Sequence, residues 1–240
     1  MKVTIPKGFT EQDDLKLLLR HAVIESNIPE GSGLGSSAAL SVSLAQCFTT
    51  DQKRVFELAK KFEDEFHSGS SGLDVFTSVN GGLCSLSSNT KFEKLPEILL
   101  MKLKKFRFSI IETNEKRKVS EIKSKLNEKD LEEFLPEASK ISKEFEDFLY
   151  SEKQEIIKII KLFDKSQKAL IKLKISTTLI DSIIIELKEE FNNDLGIKIT
   201  GAGGGGCLLL VHNERITKEQ ILKLLLKHNF NTKLYYNIDI

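Results

Sequence analysis

The sequence has little of what several common chemistries require. Its three cysteines, Cys47, Cys84 and Cys207, are odd in number and far apart, with no metal-binding spacing. They support neither a disulfide framework nor a zinc cluster, and they read as reduced, buried small residues of a cytoplasmic protein. No apolar run approaches the ~20 residues of a membrane helix, and the N-terminus carries no signal-peptide core. A net charge of +1 gives no bulk attraction to nucleic acid or to a membrane surface. The basic run at 104–108 alternates phenylalanine with charge and reads as a strand rather than a nucleic-acid patch. There is no GKS/T phosphate loop, no HExxH, no internal repeat and no low-complexity tract.

What remains is an ordinary globular chain with glycine in unusual places. At 240 residues and 40% hydrophobic content it can build one large domain or two small ones. All 14 glycines except Gly8 fall at 31–35, 69–82 and 196–206. Concentrating the most permissive residue in three places predicts close backbone approaches there.

Periodicity places helices over 13–24, from Ser36 or Ser37 onward, over 53–66 with Val55, Leu58, Ala59, Phe62 and Phe66 on one side, and over 177–191. The start of the chain reads as a short strand or a loose end, and Ile24 to Ile28 as a lead into the Pro29 turn. A short helix precedes a strand from Leu83, and the pattern loosens over 88–100, which marks a boundary between 1–95 and 96–240. A strand at 106–111 is followed by helices over 117–126, 129–150 and 152–174. Strands at 197–200 and 207–211 flank the last glycine cluster, and a helix over 217–228 and a strand over 231–239 close the chain.

The segment GSGLGSS at 31–37 runs glycine directly into a helix, and there backbone N–H groups, the helix dipole and serine hydroxyls can converge on a phosphate. A glycine turn with serine caps is the plainer reading. GAGGGGC at 201–207 joins two apolar strands, so its chain-entropy cost must be offset by close approach to a ligand or another loop rather than by service as a linker. In SSGLD at 70–74, Asp74 is either a turn residue or a carboxylate that accepts a proton from a hydroxyl. Glu63 and His67 have equally plain alternatives, a solvated helix glutamate and a satisfied loop histidine.

Together these segments resemble the GHMP small-molecule kinases. PEGSGLGSSAAL at 29–40 is similar to the family's second motif and KITGAGGGGC at 198–207 to its third. FEDEFHSGSSGLD at 62–74 resembles the subgroup that phosphorylates mevalonate, with Glu63, His67 and Asp74 at matching spacing. The segments IIETNEKRKVSEI at 110–122 and ALIKLKISTTLIDSI at 169–183 resemble that subgroup too. The resemblance implies an α+β, two-lobed fold: an N-terminal ATP-binding lobe with a βαβ layer and a ferredoxin-like C-terminal lobe, the active site lying in the cleft between them. It implies ATP and Mg²⁺ as cofactors and a small-molecule alcohol, mevalonate, as substrate. The N–H groups of Gly33, Leu34, Gly35, Ser36 and Ser37 would hold the ATP phosphates. Ser37 and Glu63 would ligate the metal and Asp74 would be the base. His67, Thr200, Gly201, Ala202, Gly203 and Gly204 would support substrate and phosphate loop.

Ser68 stands where the subgroup carries glycine, and the family's first motif, P-G-K-x-x-L-x-G-E-H, has no counterpart. The N-terminal lobe is therefore expected to be truncated: the chain reads as a fragment or shortened kinase, as a compact relative with altered chemistry, or as a non-catalytic remnant that binds nucleotide. The sheet edge and core exposed in such a lobe predict low solubility or pairing with a second copy.

Overall fold

The computed structural model describes residues 1–29, 31–67, 69–87, 91–115, 126–201 and 203–238. The fold is α+β, and the chain divides into two compact units. One holds Met1–Glu30 with Gly35–Glu97, the other Gly31–Leu34 with Ile98–Ile240.

In the first unit, β1 (Lys2–Thr4) pairs antiparallel with β2 (Val23–Glu25) across α1 (Leu15–His21). The helix starts two residues later than its periodicity suggests, because Asp14 is the N-cap and accepts the N–H groups of Lys16 and Leu17. The region after Ala22 is a strand rather than part of the helix or a lead-in to a turn.

The core of this unit is α2 (Ser36–Ala45) packed on α3 (Gln52–His67). Along α3 the buried positions are Val55, Leu58, Ala59, Phe62 and Glu63, spaced i, i+3, i+4, i+7, i+8. Phe66, expected on this face, is exposed, and the acidic Glu63 takes a place in the apolar stripe. Along α2 the stripe reads Ala38, Ser41, Val42, Ala45, again with one polar member. After α4 (Leu73–Asn80), β3 (Cys84–Leu86) pairs antiparallel with β4 (Phe92–Lys94). Phe92 stacks on Phe76 with ring centroids 5.1 Å apart. This strand, and α5 (Glu97–Leu103) after it, lie where the periodicity loosens: each is too short to show a period. Residues 88–90 fall outside the described ones.

In the second unit, β5 (Arg107–Glu112) leads to α6 (Glu128–Tyr150), α7 (Ile156–Lys172) and α8 (Thr178–Glu190). Then come β6 (Leu195–Ile199), β7 (Cys207–His212), α9 (Lys218–Lys227) and β8 (Lys233–Tyr235). The strands lie in the order β6-β7-β5-β8, every neighbour antiparallel. Numbered along the unit that is 2-3-1-4 with helices after the first and third strands, the ferredoxin-like βαββαβ arrangement. One sheet face, with Ile111, Leu195, Ile197, Ile199, Leu208 and Leu210, packs on Ile180, Ile183 and Leu187 of α8 and Ile221 and Leu224 of α9. On the other face Gly196 admits α7: a Cβ there would lie 2.9 Å from Phe163 and 3.0 Å from the Ile160 backbone. The helix expected over 152–174 begins only at Ile156, and the closing strand is shorter than 231–239. Most of the helix expected over 117–126 lies outside the described residues.

The expectation that all three cysteines are buried fails for two. Cys47 is exposed just past the end of α2 and Cys84 is half-buried. Cys207 is buried on β7, where loss of solvent, reinforced by Glu112, pushes its thiol up to about 11.

Candidate functional site

Two constellations bring the expected residues together, one in each unit. In the first unit, Gly35 caps α2 in a left-handed conformation (φ 69°) without a side-chain hydrogen bond to the helix. Gly31 and Gly33, which belong to the second unit, also have positive φ. A Cβ on Gly31 or Gly35 would meet nothing within 4 Å. These glycines therefore serve backbone conformation, not tight packing. The first-turn N–H groups of α2, from Ser36 onward, face the chain entry, as in any helix start that receives an anion.

Ser37 and Ser41 lie one helical turn apart on α2, so their hydroxyls leave the same face. Both reach Glu63 on α3. Ser37 Oγ donates to Glu63 Oε1 at 2.8 Å and Ser41 Oγ donates to Oε2 at 3.1 Å. Glu63 is 3% exposed, which no solvated helix glutamate would be. His67, one turn further along α3, places Nε2 3.0 Å from Ser37 Oγ and 3.3 Å from Glu63 Oε1. The single Ser37 proton is committed to Glu63, so Nε2 of His67 is the donor toward Ser37. His67 is the last residue of α3, not a loop residue.

The loop after His67 is tied back to α3. Asp64 receives the Lys60 ammonium at 2.6 Å and the Ser70 N–H at 2.8 Å. The Lys60 hydrogen bond, more than the backbone contact, holds its carboxyl below the usual carboxylate range. The loop delivers Asp74 to the first turn of α4, behind the left-handed cap Gly72. Asp74 is exposed and, among the described residues, has no hydrogen-bond or ion-pair partner.

In the second unit the 201–206 run is packed hard against neighbouring chain. A Cβ on Gly203 would sit 2.7 Å from the Ile175 carbonyl, one on Gly205 2.8 Å from the Glu115 carbonyl, and one on Gly206 2.6 Å from the Ser32 carbonyl. The close approaches are hydrogen-bonded. Gly204 N–H donates to Ile175 O, Gly206 N–H to Glu115 O and Cys207 N–H to Ser32 O. Thr200 is buried, and its single hydroxyl proton is shared between Ser32 O at 3.1 Å and Cys207 O at 3.0 Å. Thr113 Oγ1 donates to Gly206 O at 2.7 Å. Thr177, the N-cap of α8, donates to the Glu115 carboxylate. Of the expected support residues, Thr200, Gly203 and Gly204 are placed in this network, Gly201 continues the turn, and Ala202 lies outside the described residues.

Sequence reasoning passed over Ser41, Ser32, Thr113, Glu115 and Thr177. Ser41 had a usable signal, a polar residue on an otherwise apolar stripe. The other four act largely through backbone groups or from distant segments, which no periodicity reports.

Ser37 Oγ and Glu63 Oε1 are hard oxygen donors side by side, the type that suits Mg²⁺. Among the described residues no group of three or more His, Cys, Asp or Glu could hold a metal by themselves.

Residues 10–82 match the GHMP kinases N terminal domain. The chain is 34% identical over 200 residues to the mevalonate kinase of Archaeoglobus fulgidus, covering 77% of this chain and 63% of that protein. It is 32% identical over 220 residues to the mevalonate kinase of Methanocaldococcus jannaschii, covering 84% of this chain and 64% of that one. The crystal structure of the Methanococcus jannaschii mevalonate kinase matches with a TM-score of 0.73 and 27% identity, over 88% of this chain and 66% of that chain. The chain thus spans a little under two thirds of the length of these relatives. Sequence similarity, fold and the glycine-opened helix α2 lead to the same place: residues 10–82 match the N-terminal domain of the GHMP kinases, and the chain as a whole is similar to mevalonate kinases.

Proposed function

We propose that this chain transfers the γ-phosphoryl group of ATP to the primary hydroxyl of mevalonate, giving 5-phosphomevalonate for isoprenoid synthesis in the cytoplasm. The observation that carries the reading is the buried Glu63 carboxylate held by Ser37 at the head of the glycine-opened helix. Burying a carboxylate beside serine hydroxyls in an apolar stripe is costly for stability, and a cation site gives it a use. Mevalonate is the preferred alcohol because the similar proteins named above are mevalonate kinases.

In this reading the N–H groups of Gly33, Leu34, Gly35, Ser36 and Ser37 hold the phosphates of ATP. Ser37 and Glu63 hold Mg²⁺, which when bound neutralises the developing phosphate charge. His67 donates to Ser37 and fixes the direction of its hydroxyl. Asp74 accepts the proton of the substrate hydroxyl, or orients it, from an exposed position at the start of α4. Thr200 supports the phosphate segment by fastening Ser32, the residue before Gly33, and Gly201, Ala202, Gly203 and Gly204 complete the supporting run in this reading. Phosphoryl transfer asks mainly for positioning and charge neutralisation, which these groups supply.

The test is a coupled ADP-release assay with Mg·ATP and, in turn, mevalonate, phosphomevalonate and sugars. Release that depends on mevalonate supports the proposal. Release only with another alcohol makes the chain a different GHMP kinase, and nucleotide binding without release makes it non-catalytic.

A further inference from the structure

Glu63 is gripped at both oxygens, and the two grips differ. Oε1 accepts from Ser37 and lies beside His67 Nε2. Oε2 accepts from Ser41, which is fully buried. A serine inside a helix commonly bonds the carbonyl one turn before it. Ser41 reaches across to another helix, 22 residues along the chain. It replaces an aliphatic residue on the face of α2 that carries Ala38, Val42 and Ala45, so its hydroxyl has been brought into the core with Glu63 as its acceptor.

We infer that Ser41 is a positioning residue for the divalent-cation site, fixing the rotation of the Glu63 carboxylate so that Oε1 keeps its aim beside Ser37. This rests on the reading of Ser37 and Glu63 as cation ligands. A carboxylate pinned at one oxygen only can swing about its terminal torsion, which is broad and roughly two-fold. With Oε2 tied to Ser41, Oε1 is kept beside Ser37 Oγ at 2.8 Å. Ser41 does not touch the cation itself; partners of this kind orient ligands, and their removal typically lowers metal affinity about 10–100-fold.

The test uses Mn²⁺ as a paramagnetic stand-in, with binding followed by the loss of the free-ion EPR signal in the presence of the ATP analogue AMPPNP. Four full-length proteins are compared: the parent chain, Ser41→Ala, Glu63→Gln and the double variant. Thermal unfolding without metal checks that each is folded. Should Ser41→Ala fail to fold, Ser41→Cys, with nearly the same shape and a weak S–H donor, replaces it and is expected to weaken Mn²⁺ to a smaller degree.

The expected result is Mn²⁺ binding weakened about 10–100-fold by Ser41→Ala, weakened further by Glu63→Gln, and no weaker in the double variant than in Glu63→Gln alone. Ser41 acting through Glu63 requires that last equality. A Ser41→Ala protein within about twofold of the parent while Glu63→Gln loses binding would overturn the role of Ser41 and leave the kinase reading standing. Full additivity in the double variant would also overturn it, since a merely structural serine behaves that way. Equal Mn²⁺ binding by the parent and Glu63→Gln would remove Glu63 from the cation site and take both readings down together.

Discussion

The carbonyl oxygen of Ser32 lies 2.6 Å from where a Cβ on Gly206 would sit. It is held in place by the N–H of Cys207 at 2.9 Å and the hydroxyl of Thr200 at 3.1 Å. The third glycine cluster thus clamps the residue that leads into Gly33, and only a residue without a side chain allows it.

Gly206→Ala should therefore be severe. The substitution forces an alanine to a φ of 89° and into a backbone oxygen that two hydrogen bonds hold in place. Backbone strain of about 1–3 kcal/mol and overpacking of about 1–3 kcal/mol add to a loss of at least ~2 kcal/mol. Denaturant unfolding would show it as a lowered midpoint with an unchanged slope. An unchanged midpoint would mean that the Ser32 segment moves freely.

Asp74→Ala should separate activity from stability. In the proposed role of general base, Asp74 would contribute about 10²–10⁴ in rate, or ~3–5 kcal/mol of barrier. Its exposed place in the first turn of α4 limits the stability cost to about 0.3–1 kcal/mol of lost helix-dipole interaction. Turnover near the parent value would remove Asp74 from the chemistry.

His212 predicts an acid-side loss of stability. It is fully buried on β7, with Nδ1 donating to Asn213 O at 2.8 Å and Nε2 accepting from Ser109 Oγ at 3.0 Å. Burial, opposed by the Asn213 hydrogen bond and aided by nearby Arg107, lowers its pKa below the ordinary 6.5. As pH falls through that value the unfolded chain takes up a proton that the native state refuses. The contribution is fully present above about pH 6.5 and is lost toward the lower folded pKa, at up to ~1.4 kcal/mol per pH unit. Stability measured from pH 7 downward should fall more steeply for the parent than for His212→Gln. Parallel curves would show that His212 is not the group responsible.

Thr217→Ala tests a local device. Thr217 accepts the Gln220 N–H at 3.3 Å while Gln220 Oε1 accepts the Thr217 N–H at 2.8 Å, a reciprocal cap on α9. Its loss should cost about 1 kcal/mol, seen in thermal unfolding, without altering nucleotide binding.

Much of this was legible along the chain. The helix at Ser36, the stripe of α3 and the strands around the last glycine cluster follow from local spacing, because periodicity is a property of neighbours. Glu63 was readable only as a position in the resemblance, because an acid on an amphipathic helix otherwise reads as solvated. Phe66 misled because it keeps the spacing of the stripe yet is exposed. The strands β2 and β4, each of three residues, were hidden because so short a segment exists only by virtue of its partner, whereas β1 was readable as a short strand or a loose end.

The sequence by itself determined where the backbone is free to bend and which helices carry an apolar side, and its motifs carried the resemblance to the GHMP kinases. Only the tertiary structure decided that Ser41 and Ser37 share one carboxylate, that residues 31–34 belong with the C-terminal unit, and that Gly206 must be glycine because of Ser32. Local chemistry fixes dihedrals within a few residues. A hydrogen bond spanning 168 residues, such as that from Thr200 to Ser32, is chosen only when burial brings both ends out of water and each must find a partner.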